Sequence, residues 1–160
     1  MANPSVEHEH APLELKGVRF EITGDSVRNS EHVDAVEAML RAVGRPDEEA
    51  SAGALGLQEI LANALRHGNG GDLAKPITVE MEMDAQHCEI IVEDESETAF
   101  DIDKVPDPLQ QENLLKGYGR GVFLARQYFD VSVYHEDVGK RGNRVILRRD
   151  FMKPYEAARS

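Results

Sequence analysis

The sequence predicts an α+β fold: a two-layer sandwich in which helices pack on one face of a mostly antiparallel sheet. Apolar residues alternate with polar ones in one isolated segment and in two pairs of segments joined by short turns, which is typical of strands and hairpins. In the segments between these predicted strands, apolar residues recur at helical spacing. The chain has 160 residues, 41% of them hydrophobic, which suits one compact domain with its own core.

The predicted domain begins with a strand and a helix. Residues 17–23 alternate between apolar and polar side chains and predict a half-buried strand, which Gly24-Asp25 ends. Gly44 then marks the end of a helix. The apolar residues of that helix recur at helical spacing: Val33, Val36, Leu40 and Val43.

A longer helix is predicted from Pro46 to about His67. Proline suits the opening of a helix, and the three acidic residues that follow it complement the positive end of the helix dipole. The run Gly68-Asn69-Gly70-Gly71 should end this helix.

Two hairpins and one more helix complete the pattern. The first hairpin is predicted over 77–83 and 88–93, joined at 84–87. A helix is predicted over 121–129. The second hairpin is predicted over 130–135 and 143–149, around the turn 139–142.

The remaining segments lie at the ends and in one long loop. We expect a flexible N-terminal segment at 1–12, the domain itself at 13–150, and a polar tail at 151–160. Residues 101–118 contain two prolines and a polar middle, and they predict a loop with a short helical piece around 110–115. A loop of this length in a compact domain is usually functional or mobile.

Charge and cysteine usage restrict the class of protein. The net charge of −12 argues against a nucleic-acid binder, since phosphate contacts need Lys and Arg, and it favours a basic patch on any protein partner. The single cysteine, Cys88, lies in an apolar run and is interpreted as a core residue of a protein from a reducing compartment. No apolar run is long enough to span a bilayer, so we expect a cytoplasmic protein.

Glu59, Asn63 and His67 form a polar row on the longer helix. Their spacing places them along one flank, beside an apolar stripe that must face the core. The amide oxygen of Asn63 can bind a hard cation such as Mg²⁺, and the carboxylate of Glu59 can orient or deprotonate a hydroxyl group. The alternative is an ordinary amphipathic helix with a solvated polar edge.

Glycines precede the last predicted helix. Gly117, Gly119 and Gly121 alternate with other residues directly before it, so the backbone there can approach an anion and direct N–H groups at it. The segment lacks the Lys-Ser/Thr of a P-loop, and a flexible turn is the alternative.

An acidic turn follows the second strand of the first hairpin. Asp94 lies at its start and can accept a hydrogen bond from a ligand amine. A charged turn that only closes a hairpin explains the same residues.

In this order, these segments resemble the GHKL ATPase superfamily, with its Bergerat-type ATP-binding fold, and within it the anti-sigma-factor serine/threonine kinases of bacterial partner-switching systems. The segment LQEILANALRHGN (57–69) is similar to the family's N box, which carries Glu, Asn and His-Gly on a helix. The segment GYGRGVFLARQYFDVSVYHEDVGKRGNRVIL (117–147) is similar to its glycine-rich G2 box with the following helix and hairpin. The resemblance extends over about Gly17 to Arg149.

The resemblance implies a role for each matching residue. Asn63 would coordinate Mg²⁺, Glu59 would activate the substrate hydroxyl, and Asp94 would accept a hydrogen bond from the adenine amino group. The other residues implied in cofactor binding are His67, Phe100, Gly117, Gly119, Arg120, Gly121 and Val122, with Gly119, Arg120 and Gly121 meeting the phosphates.

The resemblance also implies a function. It predicts an ATP-dependent serine/threonine protein kinase that binds a sigma factor, phosphorylates a STAS-type antagonist, uses ATP/ADP and Mg²⁺, and forms a homodimer. Residues 101–118 would then act as a nucleotide lid, unless they form an ordered loop packed through their leucines.

Two alternatives remain beside the kinase. One is a nucleotide-binding or nucleotide-independent partner-switch module without efficient kinase activity. The segment EDESETAFD favours it, because Ser96 and Ala99 stand where the family usually has glycines, whereas Glu59 and Asn63 favour the enzyme. The other alternative, the ATPase domain of a sensor histidine kinase, is disfavoured because no phospho-acceptor helix pair precedes Gly17.

Overall fold

The computed structural model describes residues 13–96, 120–135 and 142–157. These residues form a five-stranded sheet with the strand order β1-β2-β3-β5-β4, in which each neighbouring pair is antiparallel. The predicted α+β class with an antiparallel sheet is confirmed. The strands are β1 (Leu15–Ile22), β2 (Ile77–Met83), β3 (His87–Glu93), β4 (Asp130–His135) and β5 (Asn143–Asp150).

Helices cover one face of the sheet. The longest helix, α3, lies between α2 and α4 and contacts α1. At its C-terminal end α3 continues as a single π-helical turn, Ala64–Gly68. The helices are α1 (Gly24–Arg28), α2 (Val33–Ala42), α3 (Asp47–Asn63) and α4 (Arg120–Tyr128).

Alternation along the strands separates a core face from a polar face. In β2 every second side chain is buried: Ile77, Val79, Met81 and Met83. These residues join apolar side chains from all the longer helices in one core, which also contains Cys88 as predicted. Burial raises the pKa of the Cys88 thiol to about 12, so the thiol stays protonated. The opposite face carries cross-strand ion pairs, such as Arg148 Nε to Glu89 Oε2 at 2.7 Å.

The strand predicted over 17–23 is confirmed, but a helix that the alternation did not predict follows it. The hydroxyl of Thr23 accepts a hydrogen bond from Ser26 N at 3.1 Å and caps the N-terminus of α1. Gly24 is needed for close packing there, because a methyl group at this position would lie 2.8 Å from Leu73 Cα. The Gly24-Asp25 pair therefore ends the strand and also opens a helical turn.

The other predicted elements are confirmed with small differences in their bounds. The helix predicted to end near His67 does end there, although its last turn widens into a π-helical turn. Gly44 ends α2 with φ +100°, a backbone conformation that favours glycine. Both predicted hairpins pair as antiparallel strands.

Several predictions fall outside the described residues. They concern the N-terminal segment 1–12, the loop 101–118 and the hairpin turn 139–142, of which only Gly142 is described. Within the predicted C-terminal tail, Phe151 is buried in the core and Tyr155 packs against it. No helix in the described part of the chain is long and apolar enough to cross a membrane.

Candidate nucleotide-binding site

A cavity of about 200 Å³ opens between the end of α3 and the ends of strands β3 and β5. Its wall is largely apolar, and a few polar groups converge on it, which is the usual composition of a small-molecule site. The described residues that line it are Ile60, Asn63, Ala64, His67, Gly68, Val92, Asp94, Ser96, Asn143 and Val145.

Asp94 supplies a buried acceptor to this cavity. Its Oδ1 accepts hydrogen bonds from Ser96 N at 2.9 Å and from Asn143 N at 3.0 Å. Its own main-chain N donates to Asn143 O at 3.1 Å, which continues the pairing of β3 with β5 by one residue. Within the described ranges, no hydrogen bond reaches Oδ2. One carboxylate oxygen is thus held by the protein, and the other remains as an acceptor for a ligand amine.

Gly68 lies directly against the Asp94 carboxylate. A methyl group on Gly68 would collide with Asp94 Oδ2 and Cγ. Gly142 makes a comparable approach from the other side, since a methyl group there would collide with the main-chain oxygen of Asp94, and its φ of +144° also favours glycine. These two glycines allow the end of α3 and the residue before β5 to pack closely on Asp94, one on its carboxylate and the other on its main chain.

Glu59 and Asn63 lie beside the N-terminus of α4. A methyl group on Gly121 would come 2.8 Å from Glu59 Oε2 and 3.6 Å from Asn63 Nδ2, so any larger residue there would have to displace the Glu59 carboxylate. The positive end of the α4 dipole favours a negative charge at this position. Neither side chain has a hydrogen-bond or ion-pair partner among the residues that the structure describes. Both polar groups therefore remain as contacts for a ligand or a reacting group.

The other predicted site residues differ in position. His67 is exposed and lines the cavity, whereas the Val122 side chain is buried in the core, so that only its backbone could contact a ligand. Arg120 is the first residue of α4, next to Gly121. The remaining predicted positions lie outside the described residues: Phe100, Gly117 and Gly119.

Two asparagines at the site were missed by the sequence analysis. Asn143 is buried, lines the cavity and places its Nδ2 3.5 Å from Asp94 Oδ1. Asn69 is buried and accepts a hydrogen bond from Glu95 N at 2.8 Å. The available signal was a polar residue placed directly after a glycine at an element end, which is also common in ordinary turns.

The described residues fit a bound nucleotide whose metal ion takes only one ligand from the protein. Among them, no group of three or more His, Cys, Asp or Glu side chains could hold a metal ion. Mg²⁺ in nucleotide sites commonly keeps water and phosphate oxygens and takes only one or two ligands from the protein. The Asn63 amide beside the N-terminus of α4 fits such an arrangement, and the apolar wall above Asp94 fits a purine base.

Fold and site together define a class of protein: an α+β domain whose cavity combines a buried acid, a helical Glu-Asn pair and a glycine at a helix N-terminus. The family model for the histidine kinase-like ATPase domain matches residues 22–149 of this chain. The chain therefore belongs to this GHKL-type family, as the resemblance predicted. A comparison with curated proteins found no match.

Proposed function

We propose that this chain is an ATP-dependent anti-sigma-factor serine/threonine protein kinase. It would bind a sigma factor, phosphorylate a STAS-type antagonist and work as a cytoplasmic homodimer. The observation that carries the proposal is the position of Glu59 and Asn63, unpaired within the described residues, at the N-terminus of α4 and next to the Asp94 cavity.

Each residue would have a distinct task. Asp94 Oδ2 would accept a hydrogen bond from the adenine 6-amino group, and the apolar wall would hold the ring. Asn63 would provide its amide oxygen to Mg²⁺. Bound ATP would supply the phosphoryl group. Glu59 would orient the acceptor hydroxyl and take its proton, a role that needs a carboxylate within hydrogen-bond reach of that hydroxyl.

The proposed partners are consistent with the charge of the chain. A net charge of −12 favours a protein partner with a basic patch over one with an acidic surface. The proposed homodimer rests on the resemblance to anti-sigma-factor kinases.

A second function is favoured by one observation. Ser96 is buried in the cavity wall, where the family usually has a glycine, so its Cβ takes space beside the proposed base. The chain would then be a partner-switch binding module without efficient phosphoryl transfer.

Labelled ATP with Mg²⁺ and a set of STAS-type antagonists separates these two functions. The kinase predicts label on a serine or threonine of one antagonist. It also predicts that Glu59→Gln slows the labelling by about 10² to 10⁴-fold while the protein still binds nucleotide. Complex formation with an antagonist or a sigma factor, without any label, would favour the binding module. A ligand that binds only the folded state must stabilise it. If millimolar Mg-ATP or Mg-ADP leaves the melting temperature unchanged, the result contradicts the kinase and also a binding module that depends on nucleotide.

A further inference from the structure

Asn69 is a buried amide whose hydrogen-bonding groups are all used. Its side chain is 2% exposed. Its Nδ2 donates to the main-chain oxygens of Lys75 and Pro76, both at 3.2 Å. Its Oδ1 accepts from Glu95 N at 2.8 Å. Asn69 therefore joins three segments: the end of the α3 π-helical turn, the chain that leads into β2, and the turn that follows β3.

One of these bonds, the one from Glu95 N, ties Asn69 to the turn that carries Asp94. Glu95 is the residue directly after Asp94, and Gly68, directly before Asn69, touches the Asp94 carboxylate. The next amide, Ser96 N, donates to Asp94 Oδ1 at 2.9 Å. Asn69 thus holds the turn from one side while its neighbour Gly68 packs against the carboxylate of the same turn.

The chemistry of this position needs a primary amide. Only Asn and Gln carry an acceptor and two donor hydrogens on one short planar group, and a buried main-chain carbonyl or N–H left without a partner costs free energy. Gln would add a methylene group inside a packed region, which costs free energy as well. Asn is therefore the residue that can satisfy all three main-chain partners in place.

We infer that Asn69 is a positioning residue that aims Asp94 Oδ2 at the ligand and so sets the preference for a 6-amino purine over a 6-oxo purine. The inference rests on the proposed nucleotide function, and it names a residue that determines which purine base the site prefers. A carboxylate accepts a hydrogen bond from a 6-amino group and repels a 6-oxo oxygen. The preference is large only if the carboxylate is held in place, because a mobile one can turn away from the wrong base.

The test is the ratio of the dissociation constants of Mg-IDP and Mg-ADP, measured by calorimetry. We expect the wild-type protein to prefer ADP by about tenfold or more, as a hydrogen bond to a charged group permits. Asn69→Ala should bring the ratio close to one. We expect this mainly from weaker binding of ADP, since both diphosphates keep the contacts to their shared diphosphate group. The matched control is Gln58→Ala, which removes another amide that ties α3 to a main-chain oxygen, Val27 O at 3.0 Å, away from the Asp94 turn.

A purely structural role would lower the melting temperature of both variants and leave the ratio unchanged. A wild-type ratio that persists in Asn69→Ala would thus overturn the inference and leave the proposed function intact. If wild-type protein binds neither diphosphate, the proposed function fails and the inference fails with it. Where Asn69→Ala does not fold, Asn69→Ser serves as the milder truncation, because its hydroxyl is too short to reach all three partners, and the same loss of preference is expected.

Discussion

Glycine residues determine how closely the helices approach the polar groups of the site. Gly68 faces the Asp94 carboxylate and Gly121 faces Glu59, and in both places a single methyl group would meet a carboxylate oxygen. The family resemblance implies phosphate contact for Gly121, and the sequence pattern predicts the end of a helix at Gly68. The structure adds a steric reason for each of them that does not depend on a ligand.

We expect Gly68→Ala to lower nucleotide affinity by about tenfold or more, because the new methyl group displaces the Asp94 carboxylate and weakens a charged hydrogen bond. The control is Gly70→Ala. Gly70 has φ +64° and open space around its Cα, so alanine there should cost about 1 kcal/mol of stability and leave affinity unchanged. Calorimetry with Mg-ADP and thermal unfolding measure the two effects. Equal losses of affinity in both variants would contradict the steric explanation.

Glu59→Ala and Asn63→Ala should separate catalysis from metal binding. Removal of the carboxylate should leave Mg-nucleotide binding nearly intact and lower the transfer rate by about 10² to 10⁴-fold, as for a general base. Removal of the amide should weaken Mg-nucleotide binding and thereby transfer. Calorimetry combined with a transfer assay tests the two roles, and the same loss of binding in both variants would refute their assignment.

Among the elements, α3 connects the core with the site. Small residues on α3 allow its neighbours to approach: a methyl group on Gly53 would lie 2.6 Å from Leu40 Cδ1 of α2, and one on Gly56 would lie 3.2 Å from Ala125 Cα of α4. The same helix then presents Glu59 and Asn63 toward the N-terminus of α4. Close packing of α3 against α4 is therefore also what brings Glu59 and Asn63 to the N-terminus of α4.

The C-terminal segment after β5 packs on the N-terminal end of α3. Arg45 lies over the Phe151 ring at 4.6 Å, and Arg149 lies over the Tyr128 ring at 5.0 Å. Glu49 is the carboxylate between the two guanidinium groups, 3.7 Å from Arg45 Nη1 and 3.8 Å from Arg149 Nη2. The end of the domain opposite the cavity is thus closed by aromatic and charged side chains together.

Phe151→Ala should destabilise the protein by about 3–5 kcal/mol, because it removes a buried ring that is 6% exposed and packs under a guanidinium group. Its neighbour Met152 is 77% exposed, and Met152→Ala should change stability by about 0.5 kcal/mol or less. Urea unfolding of both variants measures the difference. A small effect for Phe151→Ala would mean that residues after Asp150 do not contribute to the core.

At the scale of the whole molecule, negative charge dominates. The chain carries 30 acidic and 18 basic side chains. Exposed ion pairs such as Arg28–Asp25 at 2.8 Å each contribute little, because water screens them and the side chains lose freedom. The excess carboxylates repel one another more strongly in the compact folded state than in the unfolded chain.

We therefore expect added salt to stabilise the protein. Raising NaCl from about 0.01 M to about 0.15 M shortens the screening length from roughly 30 Å to roughly 8 Å and should raise Tm. An equal series in KCl controls for specific binding of sodium. A Tm that falls with salt in both series would mean that the surface ion pairs outweigh the net repulsion.

Local sequence patterns were enough to predict the strands, the longer helices and one flank of the site. Alternation in the β2 segment and helical spacing in α3 are local patterns, and each maps directly onto a buried face because strand and helix have fixed periods. Glu59 and Asn63 could be placed side by side for the same reason. The short helix α1 was missed because five residues are too few to show a period.

The way in which distant segments meet around Asp94 follows from tertiary packing and could not be predicted from the sequence. Asn143 and Asp94 are 49 residues apart, and their contact follows from the register between β3 and β5, in which Glu93 pairs with Arg144. The contacts of Gly68 with Asp94 and of Asn69 with Glu95 depend on how the end of α3 packs over that sheet edge. Local periodicity carries no information about such register and packing, because many pairings of the same strands and helices satisfy the same pattern of buried faces.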